Sequence, residues 1–149
     1  MVKNKVIKML ADIHSSLDVR CFCGSRAKLC SNSILYNYIE YGNGLAWICE
    51  RFPVCRGSVG CHANGKPLGV IADSKTKALR LLVHAEIDRY WKCVKGSRNK
   101  KSMRNRVYAW LRKITGKSCE DCHVGRFTAQ DCLDVLRLAK KYPFNLDNS

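Results

Sequence analysis

Cys21-Phe22-Cys23-Gly24 and, further along, Cys49-Glu50-Arg51-Phe52-Pro53-Val54-Cys55 decide how this chain folds. The first stretch offers two thiols in a turn with a glycine after the second. A metal knuckle needs such a glycine, because the backbone bends tightly there and turns its N–H groups toward sulfur. The second stretch offers two more thiols with Phe52-Pro53 in the turn between them. Two pairs about 25 residues apart with strands between them are the layout of a zinc ribbon, and four thiolates close a tetrahedral structural site. Only one residue separates Cys21 from Cys23, where the usual knuckle has two. Three readings stay open: Cys21, Cys23, Cys49 and Cys55 hold one Zn2+; Cys30 or Cys61 replaces one of them; or the thiols are buried without metal.

Around this module the sequence reads as an α+β protein, a small four-cysteine zinc ribbon packed with about three to four helices. Val6, Ile7, Leu10 and Ile13 recur at helical spacing and predict a helix over roughly 4–16, within an N-terminal region 1–17. Residues 18–65 form the ribbon module. In it, Ile34-Leu35-Tyr36-Asn37-Tyr38-Ile39 reads as one strand and Leu45-Ala46-Trp47-Ile48 as another, with turn chemistry at Tyr41-Gly42-Asn43-Gly44. Residues 66–149 read as a helical region. Asp73 or Ser74 starts a helix to about Lys92 with an apolar stripe of Leu79, Leu82, Val83, Ile87 and Tyr90. A basic loop leads to a helix over Ser102–Lys113, ended by Gly116. A last helix starts at Thr128, with Asp131 in capping-box position and Cys132, Val135, Leu136 and Ala139 inward, and stops before Pro143.

Charge sets the expected partner. Lys and Arg number 27 against 12 Asp and Glu, a net charge of +15. Ten of the basic residues fall between Lys92 and Lys117, with no acid among them. Concentrated like charge repels itself, and an anionic partner is the natural offset. Lys95, Arg98, Lys100, Lys101, Arg104, Arg106, Arg112 and Lys113 are the candidate nucleic-acid-binding residues. The plain alternative is a solubilising face. Trp91, Tyr108, Trp110 and the ribbon rings Tyr36, Tyr38, Tyr41 and Trp47 are candidates for base stacking, with core packing favoured for Tyr108 and Trp110.

Ten cysteines in a secreted chain would point to disulfides. Residues 1–17 lack an uninterrupted apolar stretch and a small-residue cleavage site, so they do not read as a signal peptide. No run approaches the roughly 18–20 apolar residues of a membrane span. The expected setting is the cytoplasm, with no membrane partner, where metal ligation or burial suits cysteine better than disulfides. Cys119-Glu120-Asp121-Cys122-His123 has metal-like spacing, but Cys132, a natural partner, falls on a buried helix face, so packing is favoured over a second zinc.

Cys49 to Cys55 resembles the second half of the zinc ribbons at the C-terminus of bacterial type I topoisomerases, which bind single-stranded DNA. A broader resemblance is to a phage and prophage family of zinc-finger-containing proteins. It rests on Cys23-Gly24-Ser25-Arg26-Ala27, Trp47-Ile48-Cys49, Val59-Gly60-Cys61-His62, Pro67-Leu68-Gly69 with Ala72-Asp73, then His84, Asp88 and Trp91, Arg106, Tyr108, Trp110 and Leu111, and Cys122-His123-Val124-Gly125 with Phe127. That resemblance implies a phage-type origin, hence a host cytoplasm, and a zinc ribbon fused to a helical region.

Three functions are open on these grounds. The first is non-catalytic binding of nucleic acid, DNA before RNA, through the basic surface and ribbon aromatics. The second is an interaction protein that docks on a host machine (RNA polymerase, a nuclease, the ribosome or a defence complex) and inhibits or redirects it. The third is a metal-dependent nuclease using His62, His84, Asp88 and His123, were the fold to gather them. The sequence contains no H-E-x-x-H, phosphate-binding loop or paired-carboxylate motif.

Overall fold

A computed structural model describes residues 2–13 and 17–148. These residues form an α+β fold, with four α-helices and one small antiparallel sheet among them. It divides into two compact units, Met1–Ser74 and Lys75–Ser149.

The first unit contains α1 (Val2–Ile13) and the strands β1 (Ala27–Ser31), β2 (Leu45–Cys49) and β3 (Ser58–Gly60), in sheet order β1-β2-β3. Residues 14–16, the last of the predicted first helix, lie outside the described residues. Ala27 pairs with Cys49 and Ser31 with Leu45, so the ladder begins at a cysteine and ends at the loop joining β1 to β2. β2 is the middle strand and is buried along its whole length, which suits its run of Leu, Ala, Trp and Ile. Leu10 of α1 and Leu29, Leu45, Trp47 and Ile71 fill the core under the sheet, together with Cys21, Cys49 and Cys61.

The strand predicted over Ile34–Ile39 does not form. β1 lies earlier, at Ala27–Ser31, where Ala27 and Leu29 alternate inward. A 3-10 turn at Asn32–Ile34 follows, held by the Ser31 side chain. Asn37 and Tyr38 then take positive φ angles of 50° and 69°, which no strand allows. The Asn32 side chain accounts for the change of course. It is buried, donates to the Tyr41 carbonyl at 2.8 Å and accepts from the Tyr41 N–H at 3.3 Å, folding 32–41 into a closed loop. Trp47 is buried as well, 4% exposed, and its indole N–H donates to the Gly65 carbonyl at 2.8 Å. It packs inside the unit and offers no face for stacking.

The second unit is helical: α2 (Ser74–Lys92), α3 (Ser97–Thr115) and α4 (Ala129–Lys141). Val83, Ile87, Val107, Leu111, Phe127, Cys132 and Val135 form its core. Tyr90, Trp110 and Phe144 meet ring to ring at its border. Leu82, placed by periodicity on the inner stripe of α2, is instead 56% exposed. α3 begins five residues before the predicted Ser102, because Gly96 at φ 86° makes the break and the Arg and Lys residues that follow are good helix formers. Gly116 ends it in the left-handed conformation, its N–H donating to the Arg112 carbonyl. Thr128 and Asp131 form the capping box of α4, each side chain accepting the other's backbone N–H.

Candidate metal centre and basic surface

Two turns build the cysteine site. The first is the tip of a short hairpin held by Ala27 N–H to the Val19 carbonyl and by Cys21 N–H to the Ser25 carbonyl, both at 2.9 Å. Gly24, at φ 87°, closes it with a bond to the Cys21 carbonyl. The second leaves the end of β2. Phe52 N–H donates to the Cys49 carbonyl and Cys55 N–H to the Arg51 carbonyl. Glu50 N–H donates to the Arg26 carbonyl at 2.9 Å and ties the two turns together.

The four Sγ atoms of Cys21, Cys23, Cys49 and Cys55 lie within 4.8 Å of one another. Cys21 to Cys55 and Cys23 to Cys49 are both 3.6 Å. Four sulfurs about 2.3 Å from a central zinc stand about 3.8 Å apart, so the set fits one tetrahedral ion. Backbone N–H groups two residues on point at three of the sulfurs: Cys23 at Cys21, Ser25 at Cys23, and Arg51 at Cys49, the last at 3.4 Å. These donors offset part of the negative charge that four thiolates bring to one ion. The single residue between Cys21 and Cys23 therefore still closes the site.

The thiols are not alike. Burial pushes Cys21 up to about 12 and raises Cys49 as well. Cys23 is held down at about 6, chiefly by the Ser25 N–H and then by the Ser25 side chain. Metal binding must displace the protons of the buried pair and finds Cys23 ready to ligate. Cys30 and Cys61 do not join the set. Cys30 Sγ faces the Lys28 carbonyl at 3.6 Å, and Cys61 Sγ lies 3.8 Å from the Asn43 amide.

Sequence reasoning missed Gly57. It is buried, and its carbonyl accepts from Cys49 N–H at 3.0 Å. A Cβ at this position would collide with Cys21 Sγ and press on Ile71 and Phe22 at 3.1 and 3.2 Å. Only a glycine lets the β3 strand enter this close to the metal site. Its signal in the sequence was weak, a lone glycine two residues after Cys55 with nothing to say what it faced.

The chain belongs to the zinc-finger-containing DUF3268 family. The family model matches residues 17–142, which cover most of both units. Family and geometry together give one structural Zn2+ on Cys21, Cys23, Cys49 and Cys55. No curated protein and no solved structure matches the chain.

Among the described residues this is the one group of three or more His, Cys, Asp or Glu side chains close enough to hold a metal. His84 Nδ1 does pair with Asp88 Oδ2 at 3.4 Å. Asp88, 8% exposed, also accepts from the Trp91 indole N–H and the Lys92 ammonium, both at 3.1 Å. Its carboxylate organises the outer turns of α2. His62 sits at the start of a turn in the first unit, with Gly65 N–H on its carbonyl, and His123 precedes the 3-10 turn at Val124–Arg126 in the second. Both are exposed. Cys122 and Cys132 are buried in the helical core, while Cys119 is exposed.

The basic run lies on the α2–α3 elbow and along α3. Lys95, Arg98, Lys100, Lys101, Arg104 and Lys113 are exposed, and Arg112 is half-buried. Arg98, Lys100 and Lys101 occupy the first turns of α3, where the positive end of the helix dipole disfavours cations. The Arg104 guanidinium lies over the rings of Tyr108 at 4.7 Å and Trp91 at 5.8 Å. Arg106 donates to the Leu146 carbonyl and so pins the C-terminal segment. Tyr108 and Trp110 are core residues. Of the rings considered for stacking, Tyr36, Tyr38 and Tyr41 of the β1–β2 loop are exposed, Tyr38 at 93%. No helix among the described residues is long and apolar enough to cross a membrane.

Proposed function

We propose that this protein binds nucleic acid without cutting it, using α3 and the α2–α3 elbow for phosphate charge and the loop tyrosines for stacking. One observation carries the reading: an acid-free run of ten cations whose members from Arg98 to Lys113 sit on a regular helix, several of them against its dipole. Such an arrangement destabilises the free protein, and phosphates relieve it. DNA is favoured over RNA by the resemblance of Cys49–Cys55 to ribbons that bind single-stranded DNA. The zinc centre is structural in this reading and holds the loop that presents Tyr36, Tyr38 and Tyr41.

The test is fluorescence anisotropy with labelled oligonucleotides at 50 to 200 mM salt. A protein neutralising six or more phosphates loses about 10³-fold or more in affinity across that range. Binding that ignores salt, or no binding at low salt, refutes the reading.

A second reading has one observation in its favour. Ile34 and Ile39 are 54% and 56% exposed beside the three tyrosines, and aliphatic side chains gain little from bases. Such a patch suits docking on a protein of a phage host. A pulldown from host lysate with and without nuclease separates the two: one protein that persists after nuclease supports docking, and loss of every partner supports nucleic acid.

A further inference from the structure

α3 is divided by charge as well as by hydrophobicity. Val107, Trp110, Leu111 and Ile114 face the core of the second unit. Helical geometry places Arg98, Ser102, Asn105 and Ala109 in one row on the opposite side, at steps of four, three and four residues, with Lys113 at its edge. All five are exposed. The middle of the row, Ser102-Asn105-Ala109, is short and uncharged. Cations border it: Arg98 at its head, Lys101 and Arg112 on one flank and Lys113 on the other. Nowhere does α3 carry an Asp or Glu. From Arg98 to Lys113 the helix rises about 22 Å.

We infer that this outer face of α3 enters the major groove of B-form DNA, with Asn105 against a base edge and the bordering cations on phosphates. The inference rests on the phosphate-binding part of the nucleic-acid reading above, not on the tyrosine stacking, and goes beyond it, from backbone attraction to a defined groove and a base contact.

Shape is the first argument. An α-helix with its side chains, about 10–12 Å across, matches a groove about 12 Å wide. The major groove of A-form RNA is too narrow to admit it, and a single strand has no groove. The second argument is where the charge lies. A surface that only follows a backbone is served by cations down its centre. A helix lying in a groove needs short side chains along its seam, so that its backbone approaches the bases, and long cations at its borders, where the two phosphate rows run. α3 has the second arrangement. A merely solvated face would mix in acids at i+3 and i+4, which support an exposed helix; here there are none. The third argument is Asn105. A carboxamide donates and accepts at once and pairs bidentately with the N6 and N7 edge of adenine. Among the described residues no hydrogen bond occupies the Asn105 side chain.

The experiment uses the full zinc-loaded chain and three probes of one sequence, about 18 nucleotides long: duplex DNA, duplex RNA and single-stranded DNA. Anisotropy titrations are expected to give duplex DNA at least a tenfold advantage over duplex RNA. A panel of duplexes with single base-pair changes then reads sequence preference. Lys101→Ala and Arg112→Ala are expected to weaken binding equally across the panel and to lower the salt slope by about one each. Asn105→Ala is expected to leave the salt slope alone and to erase a 5- to 150-fold preference at one A·T pair. Asn105 and Lys101 are exposed, so their helical circular dichroism should match wild type. Equal or tighter binding of duplex RNA or the single strand overturns the groove assignment while the nucleic-acid reading stands. A wild type without base preference, or one whose preference survives Asn105→Ala, overturns it in the same way. No binding to any of the three probes at low salt ends both.

Discussion

Replacing Gly57 by alanine tests the metal centre at the point where the fold leaves it least room. The new methyl would stand well inside contact distance of Cys21 Sγ, with Ile71 Cγ2 and Phe22 Cε1 at 3.1 and 3.2 Å closing the other directions. Non-bonded heavy atoms settle about 3.5–4.0 Å apart, so the sulfur must give way by well over an ångström. A zinc–thiolate bond near 2.3 Å tolerates about 0.2 Å. In the metal-free protein Cys21 is free to turn away; in the zinc-bound protein it is not. The strain therefore falls on zinc affinity more than on the metal-free fold. Overpacking of this kind costs about 1–3 kcal/mol, which corresponds to about 5- to 150-fold weaker zinc. Competition against a chromogenic chelator measures this directly. Gly60→Ala is the matched control, since its Cβ would meet only the end of the Leu68 side chain at 3.1 Å. Wild-type zinc affinity in Gly57→Ala would refute the placement of β3 against Cys21.

Chelation should affect the two units differently. Structural zinc contributes about 10 kcal/mol or more, comparable to the whole stability of a domain. Removing it should abolish amide protection in β2 while α4, which has its own core, stays protected in hydrogen exchange. Cys30→Ala and Cys61→Ala should keep one zinc per chain by elemental analysis, and Cys49→Ala should lose it; loss in either of the first two would mean a different ligand set. Asp131 makes the second unit sensitive to acid. Burial by itself would raise this carboxyl, but the Thr128 N–H and the Lys117 ammonium, each at 2.9 Å, outweigh it and hold it below its ordinary value. Its contribution is complete above that ordinary value, about 3.8, and disappears as pH falls through the lower folded one. Asp131→Asn should cost stability at pH 7 and flatten the acid limb of a circular dichroism titration; an unchanged acid limb would show that the pairing contributes nothing. Thr128→Ala should cost about 1 kcal/mol at pH 7 in denaturant titration.

The parts legible in the sequence were those governed by local chemistry. The capping box of α4, the glycine ending α3 and the stripe of α4 depend on residues three or four apart, and each stands where periodicity put it. The metal ligands were legible because thiols in paired turns have few other uses. The misread parts depend on distant partners. Ile34 to Ile39 has strand composition, yet β2 pairs with Ala27–Ser31, whose modest residues alternate correctly against it. The stronger β-formers are left in a loop shaped by Asn32. Leu82 fits the spacing of the inner stripe of α2 but finds no neighbour to cover it. The basic stretch before Ser102 looked like a loop on charge, though nothing in Arg or Lys opposes a helix. Gly57 matters through a sulfur 36 positions earlier in the chain, a meeting that a lone glycine after Cys55 does not announce.

The ladder between β1 and β2 starts where Ala27 faces Cys49, at the ligands, and finishes where Ser31 faces Leu45, about 13 Å away. Everything the ion demands is gathered at one end. Residues 33–40 at the other end owe it nothing beyond a closed loop. Those residues can be rewritten while folding stays insured by the cysteines. The same division offers a site for grafting: a foreign binding loop set between Asn32 and Tyr41 would inherit a rigid, metal-locked base.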